Sequence, residues 1–219
     1  MIDFIPFPKI ARLNREIVIT EKIDGTNAGV QIVPEADAHG QTVLGTVATV
    51  DGHLIYAQSR TRLVWPGKQD NFGFAGWVRE NAAELVRLGP GTHFGEWWGS
   101  GIQRGYGLPK GEKRFSLFNT SRWSDAAVRP ACCGVVPVLY QGPLDQDEIE
   151  MAIEMLAVCG SKAAPGFMEP EGVVVYHTAA NQLFKVTVEN DEVPKALAPI
   201  TVSDIADKYS DSLARLAAA

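Results

Sequence analysis

The hexapeptide Lys22-Ile23-Asp24-Gly25-Thr26-Asn27 sets an amine beside an acid and a glycine, between two apolar runs, Ile17-Val18-Ile19 and Ala28 to Val33. Short runs rich in β-branched residues predict strands, so Lys22 is expected at a strand end, in a buried crevice. An amine held there can act as a nucleophile, and the setting points to covalent chemistry on a nucleotide. The requirement is severe. A lysine in water titrates at about 10.4, so holding one neutral at pH 7 costs about 4–5 kcal/mol. Burial or a neighbouring cation supplies that free energy, and carboxylates such as Glu21 and Asp24 oppose it. Alternate residues of a strand share a face, which predicts that Lys22 and Asp24 point together. A working nucleophile here therefore calls for a metal ion or a second lysine, and Lys185 is the candidate. A Lys-x-Asp-Gly string by itself also occurs as a plain exposed turn, so its companions decide its meaning.

The elements that must position these residues are mostly strands. β-rich runs lie at Glu16–Thr20, Ala28–Val33, Val43–Val50, His53–Gln58, Thr92–Trp97, Arg114–Asn119, Val135–Tyr140, Gly172–His177 and Gln182–Val188,. Asp51-Gly52 is a two-residue hairpin signal. Three segments carry helical spacing. From Asn71 to Leu88 the apolar positions are Phe74, Trp77, Val78, Ala82, Leu85 and Val86, stopped by Gly89-Pro90,. A second helix is capped by Asp145 with Glu148 as its capping-box partner, buries Ile149, Ala152, Ile153 and Leu156, and ends at Gly160. A third covers 203–217. The pattern predicts a single α+β domain over 1–219, two antiparallel sheets flanked by helices.

Composition narrows the class. Residues are 46% hydrophobic and 21% charged, ordinary for a globular chain, and no apolar run approaches the length of a membrane span,. With no basic, apolar leader at Met1–Pro6, the expectation is a cytoplasmic protein without membrane association. Cys132, Cys133 and Cys159 have neither disulfide-framework nor zinc spacing and read as reduced thiols. The histidines His39, His53, His93 and His177 lack the spacing of a metal site. A net charge of −6 argues against nucleic acid,. The distribution argues the other way: Arg104, Lys110, Lys113, Arg114, Arg122 and Arg129 form one basic stretch, Arg60, Arg62 and Lys68 a second, and the acids collect from Asp145 to Glu154,.

Glu21-Lys22-Ile23-Asp24-Gly25-Thr26-Asn27 resembles the nucleophile motif of the covalent nucleotidyltransferases, the superfamily of RNA and DNA ligases and mRNA capping enzymes. Five further motifs follow in that superfamily's order: Ser59-Arg60, Phe94-Gly95-Glu96-Trp97, Phe115-Ser116-Leu117-Phe118-Asn119, Glu171-Gly172-Val173-Val174 and Leu183-Phe184-Lys185-Val186. Thr26-Asn27 and Gly101-Ile102-Gln103 are most similar to the ATP-dependent RNA ligases of the nick-sealing type. The resemblance implies a nucleotidyltransferase (adenylation) domain in which Lys22 attacks the α-phosphorus of ATP to give a lysyl-AMP. It implies Glu96 on the ribose hydroxyls, Phe115 stacked on adenine, with Phe118 packed in the core, and Glu21, Asp24 and Gly25 about the nucleotide. Glu171 would hold Mg²⁺ or Mn²⁺, Lys185 would face the α-phosphate, and Asn27 and Arg60 the AMP phosphate or an RNA 5′-phosphate. Arg62, Gln103 and Arg104 would contact RNA.

The sequence departs from that pattern at Thr187, where the superfamily's last motif carries a second lysine; either Lys185 works alone or Lys195 or Arg62 substitutes. Only 34 residues follow Lys185, too few for the five-stranded OB-fold that DNA ligases and capping enzymes append, so the expectation is a domain with no OB-fold that seals RNA without an accessory domain, is helped by its helical end, or takes the missing grip from a protein partner. The implied activity is sealing of RNA 5′-phosphate and 3′-hydroxyl ends, or of nicked RNA duplex, in RNA repair. The rival readings are a DNA ligase or capping-type transferase, and a non-catalytic sensor of RNA ends or nucleotides.

Overall fold

The computed structural model describes residues 3–38, 45–68 and 70–188. In chain order the strands begin with β1 (Glu16–Lys22), β2 (Thr26–Pro34), β3 (Ala48–Val50), β4 (His53–Ser59) and β5 (Leu63–Val64). Two short helices follow, α1 (Phe74–Glu80) and α2 (Ala82–Leu85), then β6 (Gly91–Gly99), β7 (Lys113–Leu117), α3 (Thr120–Trp123) and β8 (Cys133–Val135). The remainder is β9 (Val138–Pro143), α4 (Gln146–Cys159), β10 (Gly172–His177) and β11 (Gln182–Thr187). They fall into two compact units. One holds the chain up to Lys22, Val138–Gly160 and the chain from Glu171 on; the other holds Ile23–Pro137 and Ser161–Pro170.

The first unit is a four-stranded sheet in the order β11-β10-β1-β9, antiparallel throughout. Strict alternation builds it. Ile17 and Ile19 of β1 are fully buried, and across the ladder they meet His177 and Val175 of β10. Burying each isoleucine is worth about 1.5–3 kcal/mol. Helix α4 closes this face with Ile149, Ala152 and Leu156. Its amino end is capped by the Asp145 carboxylate, which accepts from the Asp147 N–H at 3.0 Å, and it stops where Gly160 takes φ 79°, a left-handed turn open to glycine. The expected cap, stripe and stop of this helix are all present, with Ile153 half-buried at the edge of the cluster. The opposite face of the sheet carries Thr20, Lys22, Val174, Lys185 and Thr187.

The second unit is a larger sheet, β3-β4-β2-β6-β7-β8, with β5 added on β4. It is antiparallel except for β7 and β8, which run parallel; the expectation of purely antiparallel sheets fails at that pair because the chain returns through α3. One face is apolar: Ala28, Val30, Ile32, Ile55, Ala57, Trp97, Phe115 and Leu117 pack with Phe74, Val78 and Leu85 of the helices. The Asp51-Gly52 hairpin forms as expected, both residues left-handed (φ 46° and 68°),.

Three elements differ from expectation. The helix foreseen from 71 to 88 is broken at Asn81 (φ −105°, ψ 14°), whose side-chain amide donates to the Trp77 carbonyl at 2.8 Å; such local side-chain bonds compete with the helix. The strand foreseen at Val135–Tyr140 is two strands, β8 and β9, that belong to different sheets, the change falling at Val136-Pro137. The strand foreseen to Asn119 ends at Leu117, and Asn119 caps α3 by accepting from the Arg122 N–H at 3.1 Å. Of the run from Val43, Ala48–Val50 pairs as a strand; Val43 and Leu44, with His39, Lys195 and the helix expected at 203–217, lie outside the described residues. Among the described residues no helix is long and apolar enough to cross a membrane.

Candidate nucleophile and nucleotide site

In the first unit, Lys22 closes β1 and pairs with Gly172, the first residue of β10. Glu171, just ahead of it, ion-pairs with the Lys22 ammonium through Oε1. Its other oxygen, Oε2, is buried and has no hydrogen-bond partner. A buried acceptor without a donor costs free energy, and a carboxylate oxygen in that condition suits a hard cation. No cluster of three or more His, Cys, Asp or Glu side chains that could hold a metal ion occurs among the described residues. Gly172 (φ 149°) is required where it stands: a Cβ there would lie 2.2 Å from the Val186 carbonyl oxygen. Across the ladder Lys22, Gly172 and Thr187 form one row, and Thr20, Val174 and Lys185 the next on the same face. Lys185 is exposed. Glu21 falls on the opposite face from Lys22 and is 1% exposed.

In the second unit, strand parity gathers the other motif residues. Asn27, Glu96 and Ser116 stand opposite one another on β2, β6 and β7, on the face turned away from the apolar core. The Glu96 carboxylate is oriented by the Gly25 N–H, which donates to Oε1 at 3.1 Å. Gly25 must be glycine, because a Cβ would come within 2.5 Å of the Trp97 carbonyl oxygen. Asp24 is not on a strand: β1 stops at Lys22, so the alternation that would have aligned Asp24 with it lapses. The Asp24 carboxylate instead pairs with Arg104 Nε at 3.2 Å, and its N–H donates to the Tyr106 hydroxyl at 2.8 Å.

Two assignments change. Phe115, expected to stack on a purine, is 0% exposed and packs against Phe74 and Trp77 at centroid distances of 5.1 and 5.6 Å; it has no free face for a base. Phe118, expected in the core, is 40% exposed and follows the end of β7, its N–H donating to the Phe94 carbonyl at 3.0 Å. The signal was present in Arg114, Ser116 and Phe118 alternating with the apolar Phe115 and Leu117. Arg104, expected on RNA, is held internally by Asp24 and by the Glu169 carbonyl, to which Nη1 donates at 3.0 Å. Other members of the basic stretch are also engaged: Lys113 donates to the Phe72 carbonyl, Arg122 to that of Leu88, Arg129 to those of Cys133 and Trp123, and Arg114 pairs with Glu112. Arg60 and Arg62 are exposed in the turn after β4, Gln103 is exposed with φ 44°, and Lys110 is exposed. Tyr106 was not foreseen, and no spacing in the sequence marks it.

Two sheets with few helices, a strand-end lysine paired to a glutamate, and a polar row of Asn27, Glu96 and Ser116 make up a mixed α+β fold. The RNA ligase family profile matches residues 15–187, and the chain belongs to that family. No curated protein matches it by sequence. Among solved structures it is similar to a mutant Naegleria gruberi RNA ligase with ATP and Mn (TM-score 0.54, 18% identity, covering 81% of this chain and 51% of that one). A mutant of the same ligase with AMP and Mn gives a TM-score of 0.52 at 18% identity, over 80% of this chain and 50% of that one. The likeness at these identities is one of fold, and the chain spans about half the length of those ligases.

Proposed function

We propose that the chain is an ATP-dependent RNA ligase that joins 5′-phosphate to 3′-hydroxyl ends through a lysyl-AMP on Lys22. The observation that carries this reading is Lys22 at the end of β1, ion-paired to a Glu171 whose second oxygen is buried and unbonded. In the first step Lys22 Nζ attacks the α-phosphorus of ATP; the N–P bond forms, the bond to the bridging oxygen breaks, pyrophosphate leaves and the amine sheds its protons. An oxygen of an RNA 5′-phosphate then attacks the adenylyl phosphorus, the N–P bond breaks and the Lys22 amine leaves; a 3′-hydroxyl finally attacks the phosphorus of that RNA 5′-phosphate, forms the phosphodiester and expels AMP.

Glu171 would hold Mg²⁺ or Mn²⁺, which when bound neutralises phosphate charge. Lys185, on the Lys22 face, supplies a cation for the α-phosphate. Glu96, oriented by the Gly25 N–H, accepts from the ribose hydroxyls, and Phe118 offers its ring to the purine. Asn27 and Arg60 serve the phosphates, with Arg62 and Gln103 toward RNA. The Naegleria ligase complexes with ATP, AMP and Mn support the choice of cofactors.

The test is intact mass after mixing with ATP and Mg²⁺, then sealing of nicked RNA beside nicked DNA. One adenylyl group should add to the wild type and none to Lys22→Ala, and RNA should be sealed in preference. Labelling by GTP instead of ATP, or no adduct at all, would overturn the reading, the latter in favour of a non-catalytic RNA-end sensor.

A further inference from the structure

The three residues after Lys22 are held more tightly than a turn requires. Ile23 is 4% exposed, in a small cluster with Trp98, Tyr106, Val136 and Ala164. Asp24 is bound twice, its N–H by the Tyr106 hydroxyl at 2.8 Å and its carboxylate by Arg104 Nε at 3.2 Å, and the Gly25 N–H is bound by Glu96. Both holders are themselves fixed. Arg104 makes its second bond to the Glu169 carbonyl. The Tyr106 ring is 2% exposed, edge-on to Trp98 at 5.1 Å and against Phe167 at 4.6 Å. Tyr106 also sits in the left-handed region (φ 53°, ψ 26°), three residues after a left-handed Gln103. Bulky residues adopt that conformation only where the surroundings impose it, most often at functional sites.

We propose that Tyr106 and Arg104 are positioning residues for the Lys22 nucleophile; the inference rests on Lys22 accepting AMP. Neither touches the reacting atoms. Each holds Asp24, two residues past Lys22, and so limits how the chain leaves the end of β1. The hydroxyl of Tyr106 satisfies the Asp24 N–H and sets the orientation of that peptide. Arg104 holds the Asp24 side chain to the Glu169 carbonyl and prevents the turn from swinging outward. Misplacement of a nucleophile by an ångström can reduce a rate by about 100-fold, so loss of one anchor should appear in the rate of the first step and not in the affinity for ATP.

Single-turnover adduct formation tests this. Tyr106→Phe keeps the buried ring and removes only the hydroxyl; the maximal rate should fall by roughly 10-fold or more, with the half-saturating ATP concentration and the melting temperature unchanged. Amide exchange at Asp24 should quicken in the same variant. Arg104→Met should slow the step similarly, and Arg104→Lys, which keeps a cation for Asp24, should restore most of the rate. Wild-type rates in both Tyr106→Phe and Arg104→Met, unchanged exchange at Asp24, or a loss that tracks melting temperature or ATP affinity would overturn the positioning role while leaving the ligase reading intact. A wild type that forms no adduct would overturn the ligase reading and this inference with it.

Discussion

Phe115 and Phe118 lie three residues apart and have opposite fates, because Phe115 faces the core from within β7 and Phe118 lies just past the strand's end, 40% exposed. The register of β6 with β7 sets Phe115 beside Trp97 in the core. Phe118→Ala should therefore leave the melting temperature nearly unchanged and weaken ATP binding by about 1–3 kcal/mol, the worth of a ring stacked on a base. Phe115→Ala should do the reverse, costing about 3–5 kcal/mol of stability as a buried aromatic removed from a packed core. Thermal melts and the ATP dependence of adduct formation separate the two, and the opposite pattern would return the stacking role to Phe115. Lys22, Glu96 and Glu171 were legible as candidates from their motifs. Tyr106 was not, because a tyrosine that acts through a hydrogen bond to a distant backbone amide leaves no periodic trace.

At the scale of elements, alternation and capping specified most strands and helix α4. They failed where a local feature competes with the periodicity, as Asn81 does in the helical run, or where the apolar pattern continues through a change of sheet, as at Val136-Pro137. Gly172 shows how an element serves the site. Its φ of 149° lets β10 start against the Val186 carbonyl, directly beside Lys22 and after Glu171. Gly172→Ala should cost about 1–3 kcal/mol, the usual price of a forced backbone, measured by urea unfolding. It should also lower the rate of adduct formation, because the strand that positions Glu171 must shift. Unchanged stability would show that β10 accommodates a side chain at its start.

At the scale of the whole molecule, the chain passes between its two units four times, and two of the crossings fall at Lys22-Ile23 and Pro170-Glu171. Lys22 and its ion-pair partner Glu171 are thus the terminal residues of their segments. Stability should also respond to pH through His93. It is 7% exposed, and burial, reinforced by the nearby Arg122 guanidinium, holds its pKa below the ordinary 6.5 against the opposing bond to the Gly89 carbonyl. The unfolded chain then takes up a proton more readily than the folded one. Stability is complete above pH ~7, falls as pH drops through 6.5 toward the folded value, and levels below it,. Melting of wild type should fall between about pH 7.5 and about 5.5, and His93→Gln should flatten that slope; an equal slope in both would assign the effect to other groups.

The amino-acid sequence by itself determined the family, the candidate nucleophile and the order of the motifs, since these depend on residue type and spacing along one chain. Its alternation also set which residues of each strand share a face. Which face met the core, which arginines were consumed by backbone carbonyls, and which buried hydroxyl met the amide after Lys22 were decided only in three dimensions. Each depends on strand register and on groups as far apart as Asp24 and Tyr106, whose hydrogen bond forms only once packing has brought them together.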